Sequence, residues 1–135
     1  MKKSLFVLVA LILMGLAIAR PHFTHPYDEA LTAVDCMYPS YAGSMASAAS
    51  SYSAPNAMSI YSQISASRSA ILTYGTNAQW AQFGAEYATF LSLVNQLQQL
   101  YLSYGMSPSG PGLNSLMSNY YGYQSGLLSC LNAEH

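Results

Sequence analysis

Apolar positions recur at alternating steps of three and four along most of this chain, and sustained two-residue alternation is found nowhere, so the pattern predicts helices without a sheet. The clearest stripe is Trp80, Phe83, Tyr87, Phe90, Val94, Leu97, Tyr101 and Tyr104. Thr76 and Gln79 read as a capping box ahead of it, and Gly105 as a left-handed stop behind it. Gly84 interrupts the stripe at a cost of up to about 1 kcal/mol against alanine, which reads as room for a close neighbouring helix. A second stripe, Leu113, Leu116, Tyr120, Tyr123, Leu127 and Cys130, follows the breaker run Ser107-Pro108-Ser109-Gly110-Pro111-Gly112.

Upstream, Pro55 to Tyr74 sets Ala57, Ile60, Ile64 and Ile71 on one side and Ser62, Ser65, Ser69 and Thr73 on the other. With Gly75 ending this helix and Thr76 beginning the next, the two should form an antiparallel hairpin with almost no loop. Near the start, Pro26 suits a first helical position, and Asp28 and Glu29 suit the positive end of the helix dipole. Tyr27, Leu31, Val34 and Tyr38 then share a face until Pro39. Residues 40–54 place Tyr41, Met45, Ala48 and Tyr52 at helical spacing, but their serines leave either a frayed helix or a Ser/Ala-rich linker. The fold class expected for residues 26–133 is therefore a single all-α domain, an antiparallel bundle of four to five helices.

Lys2 and Lys3, the apolar run Leu5 to Ala17 and the small residues Ala17-Ile18-Ala19 have the form of a cleaved secretory signal over residues 1–19. The stretch from Ser4 to Ala19 is short of the roughly 20 residues that span a hydrocarbon core. Cleavage would leave Arg20 to His135, with residues 20–25 as a mobile arm and no later segment able to insert stably in a membrane. The product would carry Arg20 and Arg68 against Asp28, Glu29, Asp35, Glu86 and Glu134, a formal charge of −3. That lacks the clustered cations with which nucleic-acid and anionic-lipid binders displace counterions.

Cys36 and Cys130 are the only cysteines. In an oxidising secretory compartment an isolated pair is expected to bridge and staple the two ends of the bundle, the alternative being thiols that pair between chains. His22, His25 and Asp28 raise the question of a metal site, but Pro21 has no amide proton, so the four-nitrogen terminal copper site that Arg20-Pro21-His22 suggests cannot close. No metal or cofactor is expected there. His135 is the last residue, and nothing has the form of a nucleophile with its base, a phosphate loop or paired catalytic carboxylates, so the expectation is a non-enzyme. Arg68 and Glu86 are the sole charges from Met37 to Ala133. A tight turn at Gly75 and Thr76 puts them within one helical turn of each other in height, which predicts an ion pair across the hairpin seam.

The 12 tyrosines are the most suggestive constellation. Tyr27, Tyr38, Tyr87, Tyr101, Tyr120 and Tyr123 fall on apolar faces, where each can replace a leucine with its hydroxyl at the bundle edge. Tyr61, Tyr74 and Tyr121 are less committed to a core and open to stacking on partners or oxidative cross-linking. No Asn-x-Ser/Thr triplet offers a site for N-linked sugar. Tyr74-Gly75-Thr76-Asn77-Ala78-Gln79-Trp80-Ala81-Gln82 resembles a phrase in the terminal domains of spider silk proteins, a family whose low-charge helical bundles drive assembly. The resemblance covers those nine residues alone, no silk repeat stands beside it and the cysteine spacing differs, so it assigns no family. The function expected from composition is self-association or contact with other extracellular proteins, because the surface lacks the charge that keeps solution proteins apart. The alternative is a carrier of a small apolar ligand held between helices.

Overall fold

The computed structural model describes residues 26–133; the predicted signal and arm, with His22 and His25, lie outside the described residues, as does His135. The described chain is helical with no strand. Helix α1 spans Pro26–Cys36, α2 Ala42–Ser51, α3 Ala57–Thr76, α4 Trp80–Gly105 and α5 Leu113–Ala133, with one wide helical turn, Met37–Tyr41, between α1 and α2. Pro39 explains that interruption. The ring of a proline excludes the preceding residue from the helical region, and Tyr38 accordingly takes φ −113°, ψ 130° before the helix resumes.

The segment over residues 40–54, open between helix and linker in the sequence, forms α2 because its alanines are well placed. Ala42, Ala46 and Ala49 are fully buried beside Met45, and such small side chains let the helix axis lie close to α3 and α4. Helices α3 and α4 make the most extensive pairing, α2 packs across both, and α5 lies over α1, the wide turn and α4. The fully buried centre includes Val34, Met45, Ile64, Ile71, Phe90, Leu97, Tyr101, Leu116 and Tyr120, drawn from all five helices. Cys36 and Cys130 form a disulfide across a sequence separation of 94, tying α1 to α5.

The turn between α3 and α4 lies later than the sequence suggests. Gly75 is inside α3, and Thr76 is its last residue rather than a cap for α4, whose N-cap is Gln79 without a side-chain cap hydrogen bond. Gly75 is small for a packing reason. A Cβ there would stand 2.5 Å from Tyr27 Cε1, so the glycine seats the Tyr27 ring, and the left-handed turn position is Ala78, at φ 57°. Gly105 likewise ends α4 without adopting positive φ; Leu116 packs directly on its Cα. Gly84, read as room for a neighbour, faces open space. Trp80 belongs to the predicted stripe yet remains half exposed, its ring set edge-on against Tyr27 at 5.0 Å and Phe83 at 5.8 Å.

Candidate functional site

Two tyrosine clusters dominate the chemistry of the described residues, one inside the bundle and one at its surface. The inner one lies where the end of the wide turn meets α4 and α5. Gln98 Nε2 on α4 donates to Tyr120 Oη on α5 at 2.6 Å, and Gln124 Nε2, one turn beyond Tyr120, donates to the same oxygen at 3.2 Å. Tyr101 Oη donates to the Leu116 carbonyl at 3.4 Å. The Tyr41 hydroxyl lies against that of Tyr120 without completing a hydrogen bond, and Gln98 Oε1 is also buried without one. Tyr52 and Tyr123 close the cluster toward solvent, their ring centroids 6.0 and 5.7 Å from that of Tyr101.

Burial governs ionisation here. Loss of solvent raises the pKa values of Tyr41, Tyr101 and Tyr120, with neighbouring phenols adding to the first two; Tyr120 is pushed up to about 12, the Gln98 amide partly offsetting the effect. Tyr87, buried against Glu29 on α1, is raised by desolvation first and by that carboxylate second. These groups are held neutral; Tyr101 and Tyr120 act as packing and hydrogen-bonding elements, Tyr41 and Tyr87 as packing.

The surface cluster gathers Asp35 from α1, Tyr38 from the wide turn, and Tyr61, Ser65 and Arg68 from α3. Tyr38 and Tyr61 stack with centroids 5.3 Å apart and planes 28° from parallel. Tyr38 Oη is 3.1 Å from Ser65 Oγ, and the Arg68 guanidinium carbon lies 5.5 Å from the centre of the Tyr38 ring. The Ser65 hydroxyl first and the Tyr61 hydroxyl second lower the pKa of Tyr38; burial opposes them, and the Arg68 charge adds a lesser lowering. Tyr61 moves the other way, raised by desolvation and by its neighbour Tyr38.

Arg68 does not pair with Glu86. Its Nε donates to Asp35 Oδ1 at 3.1 Å. The predicted height was sound, because Ser67 Oγ reaches the Glu86 carbonyl at 3.4 Å, but the azimuth was not. Ser67 is the residue that faces α4, and Arg68, rotated about 100° further round the helix, points to α1 instead. A sequence stripe fixes which residues share a face, whereas partner choice among three packed helices needs their relative positions.

Beside this cluster, an open groove of about 560 Å³ runs along α2, lined by Pro39, Ser40, Gly43, Ser44, Ser47, Ala48, Ser51 and Tyr123. Its four serines are spaced by four, three and four residues, a helical stripe legible in the sequence but read there only as poor helix-forming composition. Among the described residues no three His, Cys, Asp or Glu side chains converge as a metal site requires.

No family model matches the chain, and no curated protein or solved structure does so either. The functional reading therefore rests on the surfaces and clusters of this fold.

Proposed function

We propose that this chain is a secreted, non-enzymatic protein that works by self-association or by contact with other extracellular proteins. The observation that carries the reading is the near-absence of charge from three helices, on which Glu86, half-buried on α4, is the sole charged side chain. Along α2 the solvent side includes Ser47, Ser50 and Ser51; along α4 it includes Gly84, Ala88, Ser92, Asn95, Gln96 and Gln99; along α5 it includes Ser118, Tyr121, Gly122, Ser125 and Leu128. None of these helices displays a lysine or arginine, and Arg68 is already paired with Asp35. Two copies can therefore approach with little electrostatic repulsion and without stripping water from ions, and the exposed Tyr121 and Leu128 add apolar area to such a contact.

The disulfide supports an oxidising compartment, in keeping with the signal-like start of the sequence. Among the described residues no helix is long and apolar enough to cross a membrane. The groove along α2 offers hydroxyls and an open side rather than an enclosed apolar wall, so it lends no weight to the ligand-carrier reading. Size-exclusion of the oxidised protein over a range of concentrations tests the proposal. Apparent mass should rise with concentration; a constant monomer that co-extracts with lipid would instead favour a carrier.

A further inference from the structure

The stacked pair Tyr38 and Tyr61 has a geometry that the buried tyrosines lack. The two rings come from elements far apart in sequence, yet they lie nearly parallel at 5.3 Å. Tyr38 Oη meets Ser65 Oγ at 3.1 Å, one turn along α3 from Tyr61, and each phenol lies close enough to influence the ionisation of the other. Stacked phenols at this separation have their ring edges within a short displacement of each other. The pair is held in place from two directions. Arg68 lies over the Tyr38 ring, and the Tyr61 hydroxyl abuts Gly43, where even a Cβ would stand 3.3 Å away. Both rings keep partial access to solvent.

We propose that Tyr38 and Tyr61 are a site of oxidative phenol coupling, joined within one chain by an ortho-to-ortho carbon–carbon bond when the protein meets hydrogen peroxide and a haem peroxidase. Each phenol gives up one electron and its hydroxyl proton. The two electrons and two protons reduce one peroxide to two waters. The paired phenoxyl radicals join at their ortho carbons, and the two ring hydrogens displaced there return as protons to the oxygens, restoring both phenols.

The surroundings favour Tyr38 as the first to be oxidised, since Ser65, then Tyr61 and to a lesser degree Arg68 stabilise its phenolate, and a phenolate yields an electron more readily than a phenol. The buried pairs are poorer substrates. Tyr101 and Tyr123 are tilted by 55°, and Tyr52 stacks at 6.0 Å on a Tyr101 ring that is fully buried and held neutral. The bond would tie the wide turn to α3, two residues from Cys36, and so reinforce the corner that the disulfide already anchors. The inference concerns contacts within one chain and is independent of self-association.

The test uses the disulfide-intact protein at high dilution with a haem peroxidase and hydrogen peroxide. The monomer should lose two hydrogens in mass, gain dityrosine fluorescence and yield one cross-linked peptide joining Tyr38 to Tyr61. Tyr38→Phe and Tyr61→Phe keep the ring stack while removing a reacting hydroxyl, so each should abolish that product with the helical circular dichroism unchanged, whereas Tyr121→Phe should leave it intact. Oxidation of the exposed Met58 and Met106 adds oxygen and is separable by mass. Cross-links confined to Tyr121 or other residues, covalent dimers with Tyr38 and Tyr61 unlinked, or no coupling at all would overturn the proposal.

Discussion

The inner and surface tyrosine clusters use one side chain for opposite ends. Where the end of the wide turn meets α4 and α5 the phenols of Tyr41, Tyr101 and Tyr120 are desolvated and held neutral; Tyr120 accepts from Gln98 and Gln124 and Tyr101 donates to the Leu116 carbonyl, so these two hydroxyls are structural hydrogen-bonding groups. At the surface, Tyr38 is stacked, paired with a serine and set beside an arginine, so its hydroxyl loses its proton more easily than usual. In a chain with 12 tyrosines but only 4 phenylalanines and almost no charge, tyrosine supplies both the bulk of a core and the reactive groups of a surface. What distinguishes the two roles is burial and partner, neither of which follows from residue type.

The largest expected effect that separates the clusters is alkaline unfolding. A buried phenol with a raised pKa binds its proton more tightly in the folded state than in the unfolded chain. Its contribution is therefore whole below the unfolded value of about 10 and is lost as pH climbs through the folded value. Tyr41, Tyr87, Tyr101 and Tyr120 all act in this sense, Tyr120 across a window from about 10 to about 12. Tyr38 has the opposite sign, since a depressed pKa adds stability above the unfolded value and loses it as pH falls through the folded one. Phenolate absorbance followed against circular dichroism should show an early, non-cooperative titration of Tyr38 and a later step coincident with loss of helix. A single gradual titration of every tyrosine with the helices intact would break the distinction.

Truncation comes next in size. Tyr101→Ala removes a fully buried aromatic ring and should cost about 3–5 kcal/mol in urea unfolding. Tyr61→Ala, at a partly exposed position, should cost distinctly less. Removing the hydroxyl alone sharpens the contrast. Tyr120→Phe leaves the Gln98 and Gln124 amides facing an apolar edge and should cost about 1–3 kcal/mol, while Tyr61→Phe should stay within about 0.5 kcal/mol. Equal losses at positions 120 and 61 would show that the inner hydrogen bonds add nothing specific.

The smallest effect belongs to the ion pair. Arg68 and Asp35 are 34% and 56% exposed, and solvent screening limits such pairs to about 1 kcal/mol or less, so Arg68→Gln should barely change stability. It should still raise the pKa of Tyr38, readable in the early part of the absorbance titration, by removing the positive charge beside the ring. An unshifted Tyr38 would assign the lowering to Ser65 and Tyr61 alone.

Most of the bundle was legible because the stripes through Phe83, Tyr87, Phe90, Val94, Leu97 and Tyr101, and through Leu116, Tyr120 and Leu127, are long enough for their period to stand out, and all nine are buried. Signals carried by single residues were less secure. Gly75 and Gly105 were read as helix stops because glycine serves turns and close approaches alike, and only the positions of Tyr27 and Leu116 show that packing is the cause. The helix over Ala42–Ser51 escaped propensity reasoning because its stability comes from alanines fitted against neighbouring helices. Gln98 and Gln124 fall outside the apolar stripes of the sequence, yet both are buried. That Gln124 stands four residues after Tyr120 was the one local hint of a shared network.

The central claim, that an uncharged helical surface lets this protein associate, is tested most directly by placing charge on that surface. Ser92 and Ser125 are exposed on α4 and α5, and the double substitution Ser92→Lys with Ser125→Lys alters neither stripe of the core. In sedimentation velocity at matched concentrations, the native chain should grow in mass as concentration rises, with little response to salt, while the lysine variant should remain monomeric at low salt and regain association as salt screens its charges. A native chain that stays monomeric throughout, or a lysine variant that associates just as the native chain does, would contradict the account.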